Sequence, residues 1–155
     1  MKELNLQIYT DGACSPNPGP GGWGFVVYGH SEPVERFGGD MQTTNNRMEM
    51  LAVLEALKWI RDNEIRGATI WSDSQYVVNG MTIWRAGWRR RGYQKKGGLK
   101  NLEMWIAMHS ADDGIEVKYR WVRGHSGDPG NDRADALAEQ GIQIVYRYRD
   151  NEIAA

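Results

Sequence analysis

The sequence predicts an α/β fold, and three observations lead to this class. Three segments of strand character come first along the chain, and their short connections favour an antiparallel meander. A long helical pattern then precedes a fourth strand, which permits parallel pairing of that strand with the first. Acidic residues stand at the ends of both of these strands. A mixed sheet is therefore expected, with a ligand site beyond the carboxyl ends of its parallel strands.

The first three strands are predicted from local patterns. The first strand has apolar or small residues at every second position, at Leu4, Leu6, Ile8 and Thr10. It is predicted to end at Asp11. Residues 12–22 are dense in Gly, Pro and Asn, which predicts a turn region whose backbone can approach a ligand closely. Residues 23–28 and 33–37 predict the second and third strands.

A long helix is predicted after these strands. Polar capping residues come first, at positions 43–46, and the helix is expected to end near Asn63. Its apolar residues recur at helical spacing, at Met50, Val53, Leu54, Leu57 and Ile60. The fourth strand is predicted over residues 68–72, and a brief helix follows over residues 76–80.

The rest of the chain predicts two more helices and a last strand. The helices are expected over residues 101–110 and from Pro129 to about Gln140, and the strand lies between them over residues 115–122. The last dozen residues give no clear signal. With no internal repeat or linker, we expect one domain over residues 1–142 and a C-terminal tail over residues 143–155.

Composition limits the class of protein. A chain of 155 residues fits one domain. The sequence lacks the roughly 18 consecutive apolar residues of a membrane helix and the layout of a signal peptide. Its single cysteine, Cys14, excludes an intrachain disulfide and agrees with a reducing compartment. We expect a cytoplasmic protein, without membrane contact and monomeric.

Charge is unevenly distributed along the chain. Residues 85–100 contain seven basic residues and no acid; because the whole chain carries −1, the remainder carries −8. Such a segment is either a handle for a polyanion or a solvated basic loop.

Four acids stand in contexts that can direct them to one point: Asp11, Glu49, Asp73 and Asp135. Asp11 and Asp73 follow strands, Glu49 lies near the start of the long helix, and Asp135 lies near the start of the last helix. Taken singly, such acids are usually turn formers, caps or solvated side chains. Together they predict a site for Mg²⁺ or Mn²⁺, since both ions prefer oxygen ligands.

These residues carry a resemblance to ribonuclease H of type 1, the bacterial form with a basic protrusion. The matching stretches are residues 9–12, 44–49, 72–77, 121–127 and 131–135. The resemblance implies a five-stranded mixed sheet, three strands antiparallel and the others parallel, with helices on both faces. It also implies hydrolysis of the RNA strand of RNA–DNA hybrids by a two-metal-ion mechanism, with 5′-phosphate and 3′-hydroxyl products.

The resemblance also implies roles for the site residues. Asp11 would bridge two Mg²⁺ ions, with Mn²⁺ as a possible substitute. Asp135 would hold the ion on the side of the attacking water, and Glu49 and Asp73 the ion at the leaving oxygen. His125, in the flexible loop 124–127, is the candidate for proton transfer or product release. His30 and His109 are expected to be structural.

Substrate contacts are predicted for a larger set of residues. They are Cys14, Asn17, Thr44, Asn45, Asn46, Gln75, Trp84, Arg85, Trp88, Arg89, Arg90, Arg91, Lys95, Lys96, Lys100 and Asn131. The asparagines and Gln75 suit 2′-hydroxyls and minor-groove edges, with Asn45 on the DNA side. Alternatives remain open for Cys14, which can be inert packing, and for Trp84 and Trp88, of which at least one is expected in the core.

Two other functions compete with this prediction. A non-catalytic module that binds hybrids or double-stranded RNA would explain the basic segment but not the four acids. Another nuclease or an integrase on the same fold is the second alternative, because a fold does not fix a function.

Overall fold

The computed structural model of the protein describes residues 6–29 and 31–154. Leu4 and His30, which entered the sequence predictions, lie outside these residues. The described residues form five strands, β1 (Leu6–Cys14), β2 (Gly19–Tyr28), β3 (Val34–Thr43), β4 (Gly67–Ser72) and β5 (Glu116–Trp121). They also form five helices, α1 (Asn45–Asp62), α2 (Gln75–Met81), α3 (Arg85–Arg90), α4 (Leu102–Ala111) and α5 (Pro129–Ala154).

The five strands form one mixed sheet in the order β3-β2-β1-β4-β5. Strand β2 is antiparallel to both β1 and β3, whereas β4 is parallel to both β1 and β5. The predicted α/β class and the mixed sheet are confirmed. In the β1–β4 pair, Thr10 lies opposite Ser72, so the residues that follow them reach the same edge of the sheet.

Helix α1 packs on one face of the sheet, where the main core lies. The hydroxyl of Thr44 caps the helix by accepting a hydrogen bond from the Arg47 N–H at 3.2 Å, as the polar start of the pattern predicted. The core contains apolar side chains of β1, β2, α1 and α4, among them Ile8, Phe25, Leu57 and Trp105. This core holds α1 at a fixed position against β1.

Helix α5 packs on the opposite face, and glycines of β2 and β3 allow its backbone to approach closely. A Cβ atom on Gly22 would lie 2.1 Å from the carbonyl oxygen of Ala138, and one on Gly39 would lie 2.5 Å from that of Gly141. Neither position has room for a side chain.

The prediction of a turn over residues 12–22 is therefore largely wrong, because many of its glycines belong to strands. Strand β1 continues to Cys14 and β2 begins at Gly19, which leaves a turn only over residues 15–18. Strand β3 also extends beyond the predicted residue 37, to Thr43. Glycine-rich composition predicts turns, whereas here it serves the close contact between helix and sheet.

Helix α5 is longer than the sequence predicted. It runs to Ala154 rather than to about Gln140, and Ile142 and Val145 of the added turns are buried. The hydroxyl of Tyr146 donates to the carbonyl of Ser15 at 2.7 Å, which ties the end of the helix to the turn between β1 and β2. The division into a domain and a tail at residue 143 stays a prediction, and this position lies inside a helix. Within the part of the chain that the structure describes, no helix has the length and apolar character to cross a membrane.

Candidate active site

Parallel pairing of β1 and β4 brings Asp11 and Asp73 to one edge of the sheet. Asp73 follows the last residue of β4, as predicted. Asp11 instead lies inside β1, opposite Gly24 of β2, because β1 continues its pairing with β2 after its pairing with β4 has ended. The side chain of Asp11 is buried.

Glu49 reaches the same edge because α1 crosses β1 at a glycine. A Cβ atom on Gly12 would lie 2.3 Å from the Glu49 backbone nitrogen, so only glycine permits this crossing. The Gly12 N–H donates to Glu49 Oε1 at 2.7 Å, and the Ser72 hydroxyl donates to Oε2 at 3.4 Å. Glu49 is thereby fixed between β1 and β4.

Three carboxylates form a cluster at this edge. Asp11, Glu49 and Asp73 each offer an oxygen, and these oxygens all lie within 4.8 Å of one another. Asp135 of α5 is not among the three, but its charge is close enough to raise the pKa of Asp11. The structure thus brings three of the four predicted acids together, and the place of Asp135 in the site stays a prediction.

The start of α5 is held against β1 by an aromatic contact. A Cβ atom on Gly130 would lie 2.4 Å from the ring of Tyr9, and that ring stacks on Trp71 of β4 at 5.7 Å. This packing places the first turns of α5, and with them Asp135, beside the cluster.

The cluster strongly favours bound protons or cations. Burial, together with the charges of Asp73 and Asp135, raises the pKa of Asp11 to about 7, although a hydrogen bond with Glu49 lowers it. Burial and the hydrogen bond with Asp11 raise the pKa of Glu49 well above its usual range. Oxygen ligands at this spacing fit divalent cations such as Mg²⁺, which would replace the protons.

The loop that carries His125 lies beside Asp73. The indole Nε1 of Trp121 donates to the Asp73 carbonyl at 3.1 Å, and a Cβ atom on Gly124 would lie 2.9 Å from Asp73 Oδ2. His125 itself is exposed and has a φ of 55°, in the left-handed region. The loop therefore presents the imidazole at the rim of the site.

Polar residues predicted to contact substrate lie at the turn between β1 and β2 and at the starts of α1 and α2. Asn17 Oδ1 accepts a hydrogen bond from the Asn45 backbone N–H at 3.1 Å, so the turn and the start of α1 are joined. Asn45, Asn46 and Gln75 are exposed. The structure thus leaves these side chains free to meet a ligand beside the carboxylates.

Two residues of the predicted substrate set are buried instead. The Cys14 sulfur lies within hydrogen-bond distance of three carbonyls, those of Pro16, Gly19 and Thr43, at 3.2, 3.3 and 3.4 Å, and its one hydrogen can be donated to any of them. The alternative of inert packing is therefore the one that the structure supports. Asn131 is also buried, and its Oδ1 has no hydrogen-bond partner among the described residues. Both side chains lack the exposure that a direct contact with a duplex requires.

The two tryptophans of the basic segment differ in their surroundings. Trp88 packs on the core residue Trp105 with ring centroids 5.1 Å apart, whereas Trp84 remains 38% exposed. Together they line a cleft of about 290 Å³, whose other lining residues are Tyr76, Lys95, Leu99 and Lys100. Trp88 is partly buried and packs against the core, which agrees with the expectation that at least one tryptophan has a structural role.

Arg85 was predicted to bind substrate, and the structure contradicts this. Its guanidinium forms two hydrogen bonds with the carboxylate of Asp112, at 2.5 and 2.6 Å. Only 18% of the Arg85 side chain is exposed. A charge that is buried and paired in this way is not available to a phosphate. Arg89 is exposed, but one of its nitrogens donates to the carbonyl of His109 at 3.2 Å.

Several residues that shape the site escaped the sequence predictions. The Ser72 hydroxyl and the Gly12 N–H hold Glu49, while Gly124 and Gly130 let loop and helix approach the cluster. The available signal was a glycine after Asp11 and a serine on each side of Asp73. It did not indicate which backbone would approach which strand.

The fold and the cluster define the class of the protein, an α/β enzyme whose acidic site suits divalent cations. The sequence matches the family described as RNase H over residues 3–143. It is 50% identical over 142 residues to a ribonuclease H of Bordetella bronchiseptica, which covers 90% of each chain. A ribonuclease H of Albidiferax ferrireducens is 47% identical over 148 residues, covering 93% of this chain and 98% of its own.

A solved structure shares the fold as well. The crystal structure of LC9-RNase H1, a type 1 RNase H with the type 2 active-site motif, superposes with a TM-score of 0.81. Its sequence is 33% identical, and the match covers 92% of this chain and 74% of that one. The chain belongs to the ribonuclease H family.

Proposed function

We propose that the protein is an endonuclease that hydrolyses the RNA strand of RNA–DNA hybrids, leaving 5′-phosphate and 3′-hydroxyl ends. The observation that carries the proposal is the carboxylate cluster of Asp11, Glu49 and Asp73, whose ligand atoms lie within 4.8 Å of one another. Family membership supplies the substrate class, and the raised pKa of Asp11 supports a requirement for cations.

The four acids would divide the work of holding two Mg²⁺ ions. Asp11 would hold both ions, Asp135 would hold the ion on the side of the attacking water, and Glu49 and Asp73 would hold the ion at the leaving 3′-oxygen. When bound, such ions supply stabilisation of the charge that develops on the attacking and leaving oxygens. Mn²⁺, with its similar preference for oxygen ligands, is the expected substitute.

His125 would move a proton at the rim of the site. Its exposed imidazole stands on the loop whose Gly124 lies against Asp73. An imidazole has two ring nitrogens, of which one can accept and the other donate a proton, so it can take part in proton transfer during hydrolysis or product release.

The choice of RNA over DNA would depend on polar groups beside the cluster. Asn17, Asn46 and Gln75 are exposed there and can pair with 2′-hydroxyl groups, which DNA lacks. The exposed arginines and lysines of residues 90–100 would contact phosphates of the DNA strand, which positions a duplex without reading its sequence.

One assay tests the function. The protein is incubated with labelled RNA–DNA hybrid, RNA–RNA and DNA–DNA duplexes of one sequence, first with Mg²⁺ and then with EDTA. We expect cleavage of the RNA strand of the hybrid alone, abolished by EDTA. Binding without cleavage would support a non-catalytic module instead, and cleavage of DNA–DNA would support another nuclease of this fold.

We also expect the protein to act as a monomer in the cytoplasm, which size-exclusion chromatography and cell fractionation would test.

A further inference from the structure

A buried polar network joins the basic helix α3 to the end of α4. We propose that Arg85, Asp112 and Tyr93 are positioning residues, which hold the exposed basic groups of residues 90–100 in the orientation that binds the hybrid. The inference rests on the proposed function, because it specifies how that substrate is held. It gives a role to residues that lie outside the carboxylate site.

The first part of the network is a bidentate ion pair. The guanidinium of Arg85 donates to both oxygens of Asp112, at 2.5 and 2.6 Å, and the Tyr119 hydroxyl donates to Asp112 Oδ2 at 2.7 Å. Burial by itself would raise the pKa of Asp112, but the hydrogen bonds from Arg85 and Tyr119 outweigh it and lower the pKa. The pair is therefore charged and joins α3 both to the residue after α4 and to β5.

The second part of the network supplies hydrogen bonds to the backbone carbonyl of His109, in the last turn of α4. Carbonyls at the end of a helix have no partner within the helix. Arg85 donates to the His109 carbonyl at 2.9 Å and Arg89 at 3.2 Å. Arg85 and Arg89 of α3 thus both donate to the end of α4, Arg85 from a largely buried position and Arg89 from an exposed one.

The third part is the imidazole of His109, which is buried. Its Nε2 lies 3.0 Å from the Gly80 carbonyl, and because a carbonyl only accepts, Nε2 must donate. In the neutral ring Nδ1 then accepts from the Tyr93 hydroxyl at 2.8 Å. Burial lowers the pKa of His109, which agrees with a neutral ring. Tyr93 therefore anchors the chain just beyond α3.

These anchors stand on both sides of the exposed arginines. Arg85 precedes Arg90 and Arg91 along the chain, and Tyr93 follows them. Both anchors are fixed to His109 of α4, so helix α3 and the turn that follows it are held at both ends. Neither anchor offers a free charge to the duplex. Arg85 and Tyr93 can therefore affect binding only by positioning the arginines between them.

Replacing Asp112 distinguishes an effect of positioning from an effect of charge, because the two would change the KM for the hybrid in opposite directions. Asp112→Asn makes the protein less negative, so electrostatics alone predicts tighter binding of a polyanion. Positioning predicts the reverse, a KM for the hybrid raised by about tenfold with kcat nearly unchanged, since misplacing a binding group by about 1 Å can cost on the order of 100-fold.

Asp113→Asn is the matched control. Asp113 is the exposed neighbour of Asp112, and the change of charge is the same. We expect its KM to stay at the wild-type value or to fall slightly. Equal KM values for Asp112→Asn and Asp113→Asn would overturn the proposal.

A second variant tests the positioning role if Asp112→Asn is unfolded at the assay temperature, which thermal denaturation would show. Tyr93→Phe removes one hydroxyl and no charge, and we expect KM to rise by about threefold, the effect of one lost hydrogen bond. Tyr148→Phe, at an exposed tyrosine of α5, is its control and should leave KM unchanged. A wild-type KM for Tyr93→Phe would overturn the proposal. Failure of the wild-type protein to cleave the hybrid would instead refute the proposed function.

Discussion

Asp11 occupies the centre of the site, because it interacts with each of the other three acids. One of its oxygens lies within 4.8 Å of oxygens of Glu49 and Asp73, and the charges of Asp73 and Asp135 raise its pKa. It comes from the central strand β1, whose neighbours β2 and β4 fix its backbone. A small change at this side chain is therefore expected to affect the chemistry without changing the fold.

Asp11→Asn is expected to abolish cleavage while binding of the hybrid persists. The amide keeps the shape of the side chain but loses the charge that a bridging ligand needs. We expect kcat to fall by about 1,000-fold or more, since bound ions contribute several kcal/mol of charge stabilisation. Steady-state kinetics with Mg²⁺ and a binding titration would measure both effects. The control is Asp62→Asn, an exposed acid at the end of α1, and appreciable turnover by Asp11→Asn would refute the bridging role.

His125→Ala is expected to slow turnover and leave measurable activity. A general acid or base contributes about 100-fold or more, and water can replace part of this function. The measurement is steady-state kcat of the variant and of the wild-type protein with saturating hybrid and Mg²⁺. An unchanged rate would show that His125 is an ordinary surface residue of its loop.

At the scale of elements, the basic segment of residues 85–100 contains two groups of residues with different surroundings. Its inner residues, Arg85 and Trp88, pack on α4, and its outer residues face solvent. The sequence predicted a cationic segment for a polyanion but could not separate these groups, because the partners that bury Arg85 lie 24 and 27 positions further along the chain. Only the outer group can contribute charge to binding.

Replacing the outer arginines is expected to weaken binding in a salt-dependent way. Arg90→Gln with Arg91→Gln should raise KM and reduce the salt slope of binding by about 1 per arginine, while kcat changes little. The measurement is KM over a series of KCl concentrations. The control replaces Lys58 and Arg147 by Gln, the same loss of charge at exposed positions of α1 and α5. A larger effect on kcat than on KM would contradict a purely positioning role for Arg90 and Arg91.

The ends of two helices show which element boundaries a sequence can predict. Helix α1 was predicted from its polar cap and its regular apolar spacing, and it ends within one residue of the expected Asn63. The end of α5 was missed, because its later turns are buried on only part of their surface, at Ile142 and Val145. The hydroxyl of Tyr146 contacts Ser15, which is 131 positions away in sequence. Contacts between residues so far apart leave no pattern in the local sequence.

At the scale of the whole molecule, the acidic cluster links stability to pH. The pKa of Asp11 is about 7 in the folded protein, against 3.8 for an aspartate side chain free in water, and the pKa of Glu49 is also raised. The metal-free folded state thus binds more protons than the unfolded state between these values. Its free energy of unfolding should therefore fall as pH rises from about 4 to 7, by a few kcal/mol in order of magnitude.

Chemical denaturation at several pH values in EDTA would measure this slope. The variant Asp11→Asn should flatten it, because the group with the raised pKa is gone. Mg²⁺ should restore stability at the upper end of the range, since an ion that binds only the folded state stabilises it. A stability that rises between pH 4 and 7 in EDTA would contradict the protonated cluster.

The sequence by itself determined the fold class and the family, and it pointed to the acids of the cluster, because these depend on local periodicity and on residue types at fixed spacings. Tertiary structure decided which glycines form contacts and which basic residues are free. It placed Gly12 and Gly22 under helices, and it paired Arg85 with Asp112. The physical reason is that burial and ion pairing depend on partners far apart in sequence, whose meeting is fixed only when the sheet and its two helical layers pack together.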